Sequence, residues 1–396
     1  MGLLDRRFEG LESSYLFSEI ASRARRFAKA HPEREIISLG VGDLALPLAP
    51  SVCEALVLAS REQGEPGGFK GYGPYEGRAF LREALASDYA RSGAELSSEE
   101  IFINDGAKNA LFSLLSLFEP GITVLIPDPV YPAYLDANIL AGNRAGFIEG
   151  GPENGYLPSP PESAAASLVY LCSPGNPTGA VYDADGLKAW VSWALERDAV
   201  IIFDSAYRSF IRECGLPKSI YEIEGAKECA IEIGSFSKSA GFTGLRCGWA
   251  VFPMALEREG VSLNKLWRQR IAVSENGAPY VVQRAALASL EEPGASECAR
   301  AADFYLNSAR RIAAALKSAG ISCTGGLNSP YVWLECPAGL SSWELFDMLL
   351  ERAGVVCTPG AGFGRRGEGR CRLSAFAKAE DCERALGRML EVLNRL

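Results

Sequence analysis

Residues 199–207 read Ala-Val-Ile-Ile-Phe-Asp-Ser-Ala-Tyr. The apolar, largely β-branched run that opens this stretch predicts a strand buried on both faces, as in a parallel sheet. Asp204 and Tyr207 follow where that strand ends, and α/β sheets bind their ligands at the carboxyl ends of their strands. On its own, Asp204 could instead cap the next turn.

The rest of the chain extends this pattern. We predict strands over 101–103, 122–126, 168–172, 199–203 and 230–234, with helices over 106–118 and 183–197. Alternating strands and helices favour a mostly parallel sheet flanked by helices. In the last third, a long amphipathic helix, a strand and a closing amphipathic helix favour a smaller α+β domain. The predicted domains are an N-terminal arm (1–14), a small domain (15–50 and 276–396) and a large domain (51–275).

A lysine follows the strand predicted over 230–234, in the segment Ser235-Phe236-Ser237-Lys238-Ser239-Ala240-Gly241-Phe242-Thr243-Gly244-Leu245-Arg246. An amine among small hydroxyl residues and glycines suits covalent attachment of a phosphorylated aldehyde. The lysine would supply the amine, while the hydroxyls and the guanidinium would hold the phosphate. A lone lysine here could also be a solvated loop residue, so the interpretation depends on further motifs.

Three further segments supply what a pyridoxal phosphate (PLP) site requires. A partly buried carboxylate at Asp204 would favour the protonated, electron-withdrawing ring of PLP, and Tyr207 could reach its phenolic oxygen. Asn176 could donate to the same oxygen from the loop Ser173-Pro174-Gly175-Asn176-Pro177-Thr178-Gly179, which could also be only a tight turn. Gly106 begins a predicted helix whose free N–H groups could bind phosphate, although many strand-to-helix junctions look alike.

Together these segments resemble the fold-type I PLP-dependent aminotransferases, and the resemblance covers nearly the whole chain. The Asn-Pro-Thr-Gly and lysine motifs mark that superfamily. The stretches Asp105-Gly106-Ala107-Lys108, Gly367-Glu368-Gly369 and Ser374-Ala375-Phe376 point to its diaminopimelate branch. The resemblance implies an aminotransferase that interconverts tetrahydrodipicolinate plus glutamate and LL-2,6-diaminopimelate plus 2-oxoglutarate.

The resemblance also implies roles for individual residues. Lys238 would be the catalytic residue that binds the cofactor and shuttles the proton. The cofactor would be held by Tyr72, Gly106, Ala107, Lys108, Tyr131, Asn176, Asp204, Tyr207, Ser235, Ser237, Lys238 and Arg246. The substrate would contact Tyr15, Gly42, Lys108, Tyr131, Asn176, Asn276 and Arg372.

Some of these implied roles carry further expectations. Arg372 would grip the substrate α-carboxylate in a bidentate pair, although it could instead serve an internal ion pair. Tyr131 would stack on the PLP ring, although it could be an ordinary core residue. Because Tyr72 and Tyr15 would act across subunits, a homodimer with shared active sites is implied.

The chain departs from the family at three positions. Gly175 stands where a second asparagine is usual. Tyr75, followed by Glu76, stands where an acidic residue faces the distal end of the substrate. Glu275 stands before Asn276, where an aromatic residue is usual. We therefore expect Glu275 or Glu76 to supply the missing carboxylate toward a distal substrate amine.

Three alternative functions stay open at this point. The enzyme could act on lysine-like or other dicarboxylic amino acids. It could catalyse another PLP reaction, such as β-elimination or decarboxylation. It could also be a catalytically idle PLP-fold protein that binds a ligand. Proteins of the last kind usually carry a DNA-binding domain, for which the 396 residues leave no room.

The amino-acid composition argues against several classes of partner and of functional site. A net charge of −9 without a basic run argues against a nucleic-acid partner. The single histidine, His31, excludes multi-histidine metal sites and argues against Ser–His catalysis, so no metal is expected. Eleven scattered cysteines without a C-x-x-C pair predict reduced, buried thiols. No signal peptide or membrane-spanning stretch is evident, so we expect a cytoplasmic enzyme of small amino and keto acids.

Overall fold

The computed structural model describes residues 4–11, 16–163 and 165–396. Tyr15 of the predicted substrate site lies outside the described residues, as do residues 1–3 and 12–14 of the predicted arm. The domain boundaries at 14, 50 and 275 remain predictions.

The strands follow one another along the whole described chain. They are β1 (Ile37–Ser38), β2 (Ile101–Asn104), β3 (Thr123–Asp128), β4 (Arg144–Glu149), β5 (Leu168–Cys172), β6 (Val200–Asp204), β7 (Ala230–Ser235), β8 (Gly248–Val251), β9 (Glu257–Arg258), β10 (Val261–Ser262), β11 (Cys323–Gly325), β12 (Tyr331–Glu335), β13 (Val355–Val356), β14 (Thr358–Pro359) and β15 (Arg370–Ser374).

Helices lie between most of these strands. They are α1 (Leu16–Ala30), α2 (Pro50–Glu62), α3 (Ala79–Arg91), α4 (Ala107–Ser113), α5 (Ala133–Ala141), α6 (Ala184–Glu196), α7 (Ala226–Cys229), α8 (Phe236–Ser239), α9 (Leu263–Ser274), α10 (Tyr280–Ala288), α11 (Gly294–Ser318), α12 (Ser342–Met348) and α13 (Ala379–Leu393).

The large sheet has the strand order β2-β8-β7-β6-β5-β3-β4 within the described residues. Every neighbouring pair is parallel except those made by β8, which runs antiparallel to β2 and β7. The prediction of a mostly parallel sheet flanked by helices is therefore confirmed. Two strands of this sheet, β4 and β8, were not predicted from the sequence. β4 is a partly exposed edge strand without a continuous apolar run, and β8 is a short strand that begins with Gly248.

Successive side chains of the central strands enter two separate cores. Ile201 and Phe203 of β6 pack in the cluster that contains Leu85 of α3 and Trp190 of α6. Val200 and Ile202 pack on the opposite face with residues of α4, α5 and α9. This burial on both faces explains the unbroken apolar run of β6. By the same alternation, Asp204 emerges on the α4–α5 face of the sheet.

A second, antiparallel sheet has the order β11-β12-β15-β14 and packs with α11, α12 and α13 around its own core. Arg372 lies in β15, opposite Trp333 of β12 and Thr358 of β14. An aromatic cluster that includes Tyr207, Tyr331 and Phe376 joins this sheet to the loop after β6. That contact brings the small sheet to the carboxyl ends of the large one.

The helix predicted over 106–118 is shorter in the structure. α4 ends at Ser113, and a 3₁₀ turn follows it.

All eleven cysteines are free thiols, and nine of them are buried as predicted. Cys53, on α2, and Cys214, in a surface turn, are exposed, so the prediction is wrong for those two.

Within the described ranges, no helix combines the length and apolarity needed to cross a bilayer. The same ranges bring together no cluster of three or more His, Cys, Asp or Glu side chains suited to a metal.

Candidate active site

The carboxyl ends of β5, β6 and β7 open into a cavity of about 510 Å³. This cavity gathers most of the predicted site residues from both sheets. Those that line it are Gly42, Ala107, Lys108, Tyr131, Asn176, Asp204, Tyr207, Ser235, Ser237, Lys238, Arg246 and Arg372. The backbone pairing accounts for much of this convergence, because Cys172, Asp204 and Ile233 lie side by side at the ends of their strands.

Of the predicted residues that the structure describes, three do not line the cavity. Gly106 lies directly behind it, and a Cβ at that position would come within 2.2 Å of the Arg246 guanidinium. Its φ of 125° also favours glycine. Tyr72, which is 91% exposed, and Asn276, which is also exposed, lie on the surface of the chain. Within one chain these two side chains therefore stand apart from the other site residues.

Lys238 presents a buried amine to the cavity. Burial lowers its pKa to about 8, and the positive charges of Arg372 and Arg246 act in the same direction, while Asp43 opposes them. The amine donates to the carbonyl oxygen of Gly42. With a pKa of about 8, part of the amine is unprotonated at mildly alkaline pH, which allows it to act both as a nucleophile and as a base.

The Asp204 carboxylate lies at the floor of the cavity. Burial raises its pKa, although hydrogen bonds from Tyr134 Oη (2.6 Å) and the Ala206 amide (3.0 Å) oppose that rise. Among the described residues, no lysine or arginine forms an ion pair with it. A protonated ring nitrogen placed here would meet a buried carboxylate that has no other cationic partner.

Arg246 lies at the rim of the cavity in a left-handed conformation, with a φ of 61°. Its Nη1 makes only long hydrogen bonds, of 3.3 Å, to Ser237 Oγ and the Thr243 carbonyl. The guanidinium therefore keeps most of its donor capacity beside the hydroxyls of Ser235 and Ser237. A cluster of this kind suits a phosphate.

Arg372 is only 1% exposed, yet it has no ion pair among the described residues. Nη1 donates to Asn176 Oδ1 (2.7 Å) and Nη2 to the Gly40 carbonyl (2.8 Å), while the buried Nε has no hydrogen-bond partner. The described residues therefore give no support to the alternative of an internal ion pair. A buried cation that keeps N–H donors free beside a cavity suits an incoming carboxylate.

The structure adds residues that the sequence interpretation did not include in the site. Tyr134 contacts Asp204, and the Tyr331 hydroxyl lies 2.7 Å from that of Tyr207. Phe17, Asp43 and Thr243 also line the cavity. Tyr134 offered no clear signal, because it lies within α5 among other core residues. Tyr331 offered none, because it opens a strand whose other residues are ordinary core. Tyr131 is only half-buried and lines the cavity, so it is not an ordinary core residue.

These features together fit the chemistry of PLP. The cofactor requires an amine that can lose its proton, an acid beside the ring nitrogen, a donor at the phenolic oxygen and a cationic phosphate site. Lys238, Asp204, Asn176 and Arg246 supply these groups around one cavity. The pKa of Lys238 and the missing cationic partner of Asp204 are the two observations that support the fit most directly.

Comparison with known proteins agrees with this geometry. Residues 34–389 match the family described as "Aminotransferase class I and II". An LL-diaminopimelate aminotransferase of Desulfosudis oleivorans is 46% identical, with 99% of each chain covered. The structure of the L,L-diaminopimelate aminotransferase from Chlamydomonas reinhardtii superposes with a TM-score of 0.93, at 36% identity over 99% of this chain and 100% of that one.

A more distant structure shares the same fold. The aspartate aminotransferase of Thermus thermophilus with maleate superposes with a TM-score of 0.85, at 26% identity over 99% of this chain and 100% of that one. The family match spans both sheets and every residue that lines the cavity except Phe17. From the fold, the cavity and these matches, we conclude that the chain belongs to the class I and II aminotransferases.

Proposed function

We propose that the protein uses PLP to interconvert tetrahydrodipicolinate plus glutamate and LL-2,6-diaminopimelate plus 2-oxoglutarate. The observation that carries the cofactor assignment is the single cavity that joins the Lys238 amine, the Asp204 carboxylate and the Arg372 guanidinium. The substrate assignment is supported by relatives that bear the name LL-diaminopimelate aminotransferase and align over almost the whole chain.

Lys238 and its neighbours would each have a separate role in amino transfer. When bound, PLP supplies an aldehyde that takes up the amino group and a ring that withdraws electrons from it. Lys238 Nζ would take the proton from the substrate α-carbon and pass it on to the cofactor, so the lysine would act first as a base and then as an acid. A pKa of about 8 suits both steps near neutral pH. Asp204 holds a proton on the ring nitrogen, and Tyr207 and Asn176 donate to the phenolic oxygen.

Two groups of residues would hold the two anions. Arg246, Ser235, Ser237 and the backbone at Gly106 and Ala107 would hold the phosphate. Arg372, which lines the same cavity, would bind the substrate α-carboxylate through the N–H donors that no described residue uses. Fixing both anions would restrict where the reacting carbon can lie relative to Lys238.

We further propose a homodimer in which Tyr72 reaches the phosphate of the neighbouring subunit. Its ring is 91% exposed in the single chain and lies close in sequence to two other exposed aromatic side chains, Phe69 and Tyr75. Exposed aromatic residues grouped in this way are typical of protein interfaces. Tyr15 and Asn276 would complete the substrate site in the same dimer.

A half-reaction titration tests the substrate. Glutamate, LL-diaminopimelate, meso-diaminopimelate and lysine are added separately to the PLP-loaded protein, and the absorbance change to pyridoxamine phosphate is followed. Conversion by glutamate and LL-diaminopimelate alone is expected. Conversion by lysine but by neither diaminopimelate would move the substrate to the lysine-like class. Bound PLP that no amino acid converts would indicate a ligand-binding protein instead.

A further inference from the structure

One hydroxyl group in the wall of the cavity contacts the Asp204 carboxylate. Tyr134 Oη donates to Asp204 Oδ2 at 2.6 Å, and both side chains are buried. The other oxygen, Oδ1, accepts from the Ala206 amide. A short O–H···O⁻ bond in a buried setting is charge-assisted and favours the ionised carboxyl group over the neutral acid.

The position of this hydroxyl is fixed by its neighbours. The Tyr134 ring stacks on Tyr170, with ring centres 4.8 Å apart and planes 17° from parallel. Asn138 Nδ2 donates both to the Tyr134 carbonyl and to Tyr170 Oη. The ring of Tyr131 meets Tyr134 edge-on at 5.8 Å. Because the ring is packed on these sides, its hydroxyl has little freedom to leave the carboxylate.

We propose that Tyr134 is a positioning residue that keeps the shared proton on the cofactor ring nitrogen instead of on Asp204. The proposal rests on the proposed use of PLP. A carboxylate and a pyridine nitrogen have similar proton affinities, so the environment decides which of them holds a shared proton. Burial without a donor would draw the proton to the carboxyl group. The Tyr134 hydroxyl opposes that transfer and thereby preserves the electron-withdrawing ring.

The sequence provides a matched control. Tyr134→Phe and Tyr170→Phe each remove one buried hydroxyl from the same stacked pair, but only the first removes a contact to Asp204. Both variants are loaded with PLP labelled with ¹⁵N in the ring. The ¹⁵N chemical shift of the ring nitrogen at a fixed pH then reports where the proton lies, independently of turnover.

We expect wild type and Tyr170→Phe to show the protonated ring nitrogen, and Tyr134→Phe to move toward the neutral value. The rate of α-proton removal in Tyr134→Phe should fall by roughly ten- to a hundredfold, the scale of one hydrogen bond to a charged group, with little change in KM. An unchanged ¹⁵N shift in Tyr134→Phe, or an equal change in Tyr170→Phe, would overturn the proposal.

Two further outcomes are distinguishable. Loss of the fold in Tyr134→Phe but not in Tyr170→Phe would also count against a positioning role, because removing one hydroxyl from an intact stacked pair should leave the fold in place. If the wild-type protein takes up no PLP, the proposed function itself fails, and this result is seen before either variant is made.

Discussion

Arg372 Nη1 and Asn176 Oδ1 are joined by a hydrogen bond of 2.7 Å that links the small sheet to the loop after β5. A guanidinium can only donate, so the amide must turn its oxygen toward Arg372. The amide NH₂ group is then left as a donor for the cavity. The arginine proposed to bind the substrate thus also orients the asparagine proposed to bind the cofactor.

Arg372→Lys should therefore damage two functions at once. A lysine cannot form the bidentate pair and cannot keep the contact to Asn176 in the same geometry. We expect KM for both the amino acid and the keto acid to rise by roughly ten- to a hundredfold, as measured by steady-state kinetics. Arg370→Lys is the control, since Arg370 pairs with Glu335 and does not line the cavity. Equal kinetics in the two variants would contradict the role of Arg372.

The Lys238 amine should make the stability of the cofactor-free protein depend on pH. Its pKa falls from 10.5 to about 8 on folding, mainly because the amine is buried. Between these values the unfolded chain binds a proton that the folded protein does not, so stability rises with pH. The contribution is about 3 kcal/mol across the window.

Lys238→Met isolates this contribution. In denaturant titrations between pH of about 8 and about 10.5, the variant should lose that part of the slope and should be more stable than wild type near neutral pH. Lys188→Met, a change at an exposed lysine, should keep the wild-type slope. Parallel pH profiles for wild type and Lys238→Met would show that the amine is not destabilised by burial.

The two candidate carboxylates for a distal substrate amine are both held by arginines of α9. Glu76 pairs with Arg268, and Glu275 pairs with Arg270. We expect Glu275→Gln or Glu76→Gln to raise KM for LL-diaminopimelate by roughly tenfold while the glutamate half-reaction stays unchanged. Glu99→Gln is the control, because Glu99 also pairs with Arg268 and is more exposed. If neither variant alters kinetics with the diamino diacid, the hypothesis is wrong.

A site shared between subunits predicts complementation. Tyr72→Phe and Lys238→Ala should each reduce activity as pure proteins, and Lys238→Ala should abolish it. After the two are unfolded together and refolded, each mixed dimer would contain one intact site. About a quarter of the wild-type activity should then return for an equal mixture. Activity no higher than the mean of the separately refolded variants would place Tyr72 outside the neighbouring site.

The predictability of the large sheet follows from the burial of its central strands. β5, β6 and β7 are buried along their whole length, and such strands favour apolar runs. The run is nearly continuous in β5 and β6 and is interrupted in β7 by the buried Glu232. β4 lies at an edge with a partly exposed surface, so its mixed composition gave no comparable signal. β8 is short and begins with a glycine, which is a poor indicator of a strand.

The residues of the candidate site also fall into those that the sequence could predict and those that it could not. Asp204 is the last residue of a buried strand, and Asn176 and Lys238 lie within four residues of the ends of theirs. Their convergence therefore follows from the sequence alone. Tyr134 and Tyr331 are buried aromatic side chains, and nothing in their local sequence separates a tyrosine that contacts an active-site group from one that fills a core. Tyr72 and Asn276 lie on the surface of the chain, so their predicted roles depend on the proposed dimer.

The pairing of Cys172, Asp204 and Ile233 at the ends of three adjacent strands has a consequence for the evolution of this site. Side chains alternate between the two faces of a sheet, so removing a single residue within β6 would turn Asp204 to the opposite face and bring Ser205 to its position. Point substitutions among the apolar residues of β6 leave that geometry intact. Deletions and insertions in homologous sequences should therefore fall outside β6. Within β6, we expect apolar residues to be replaced by other apolar residues.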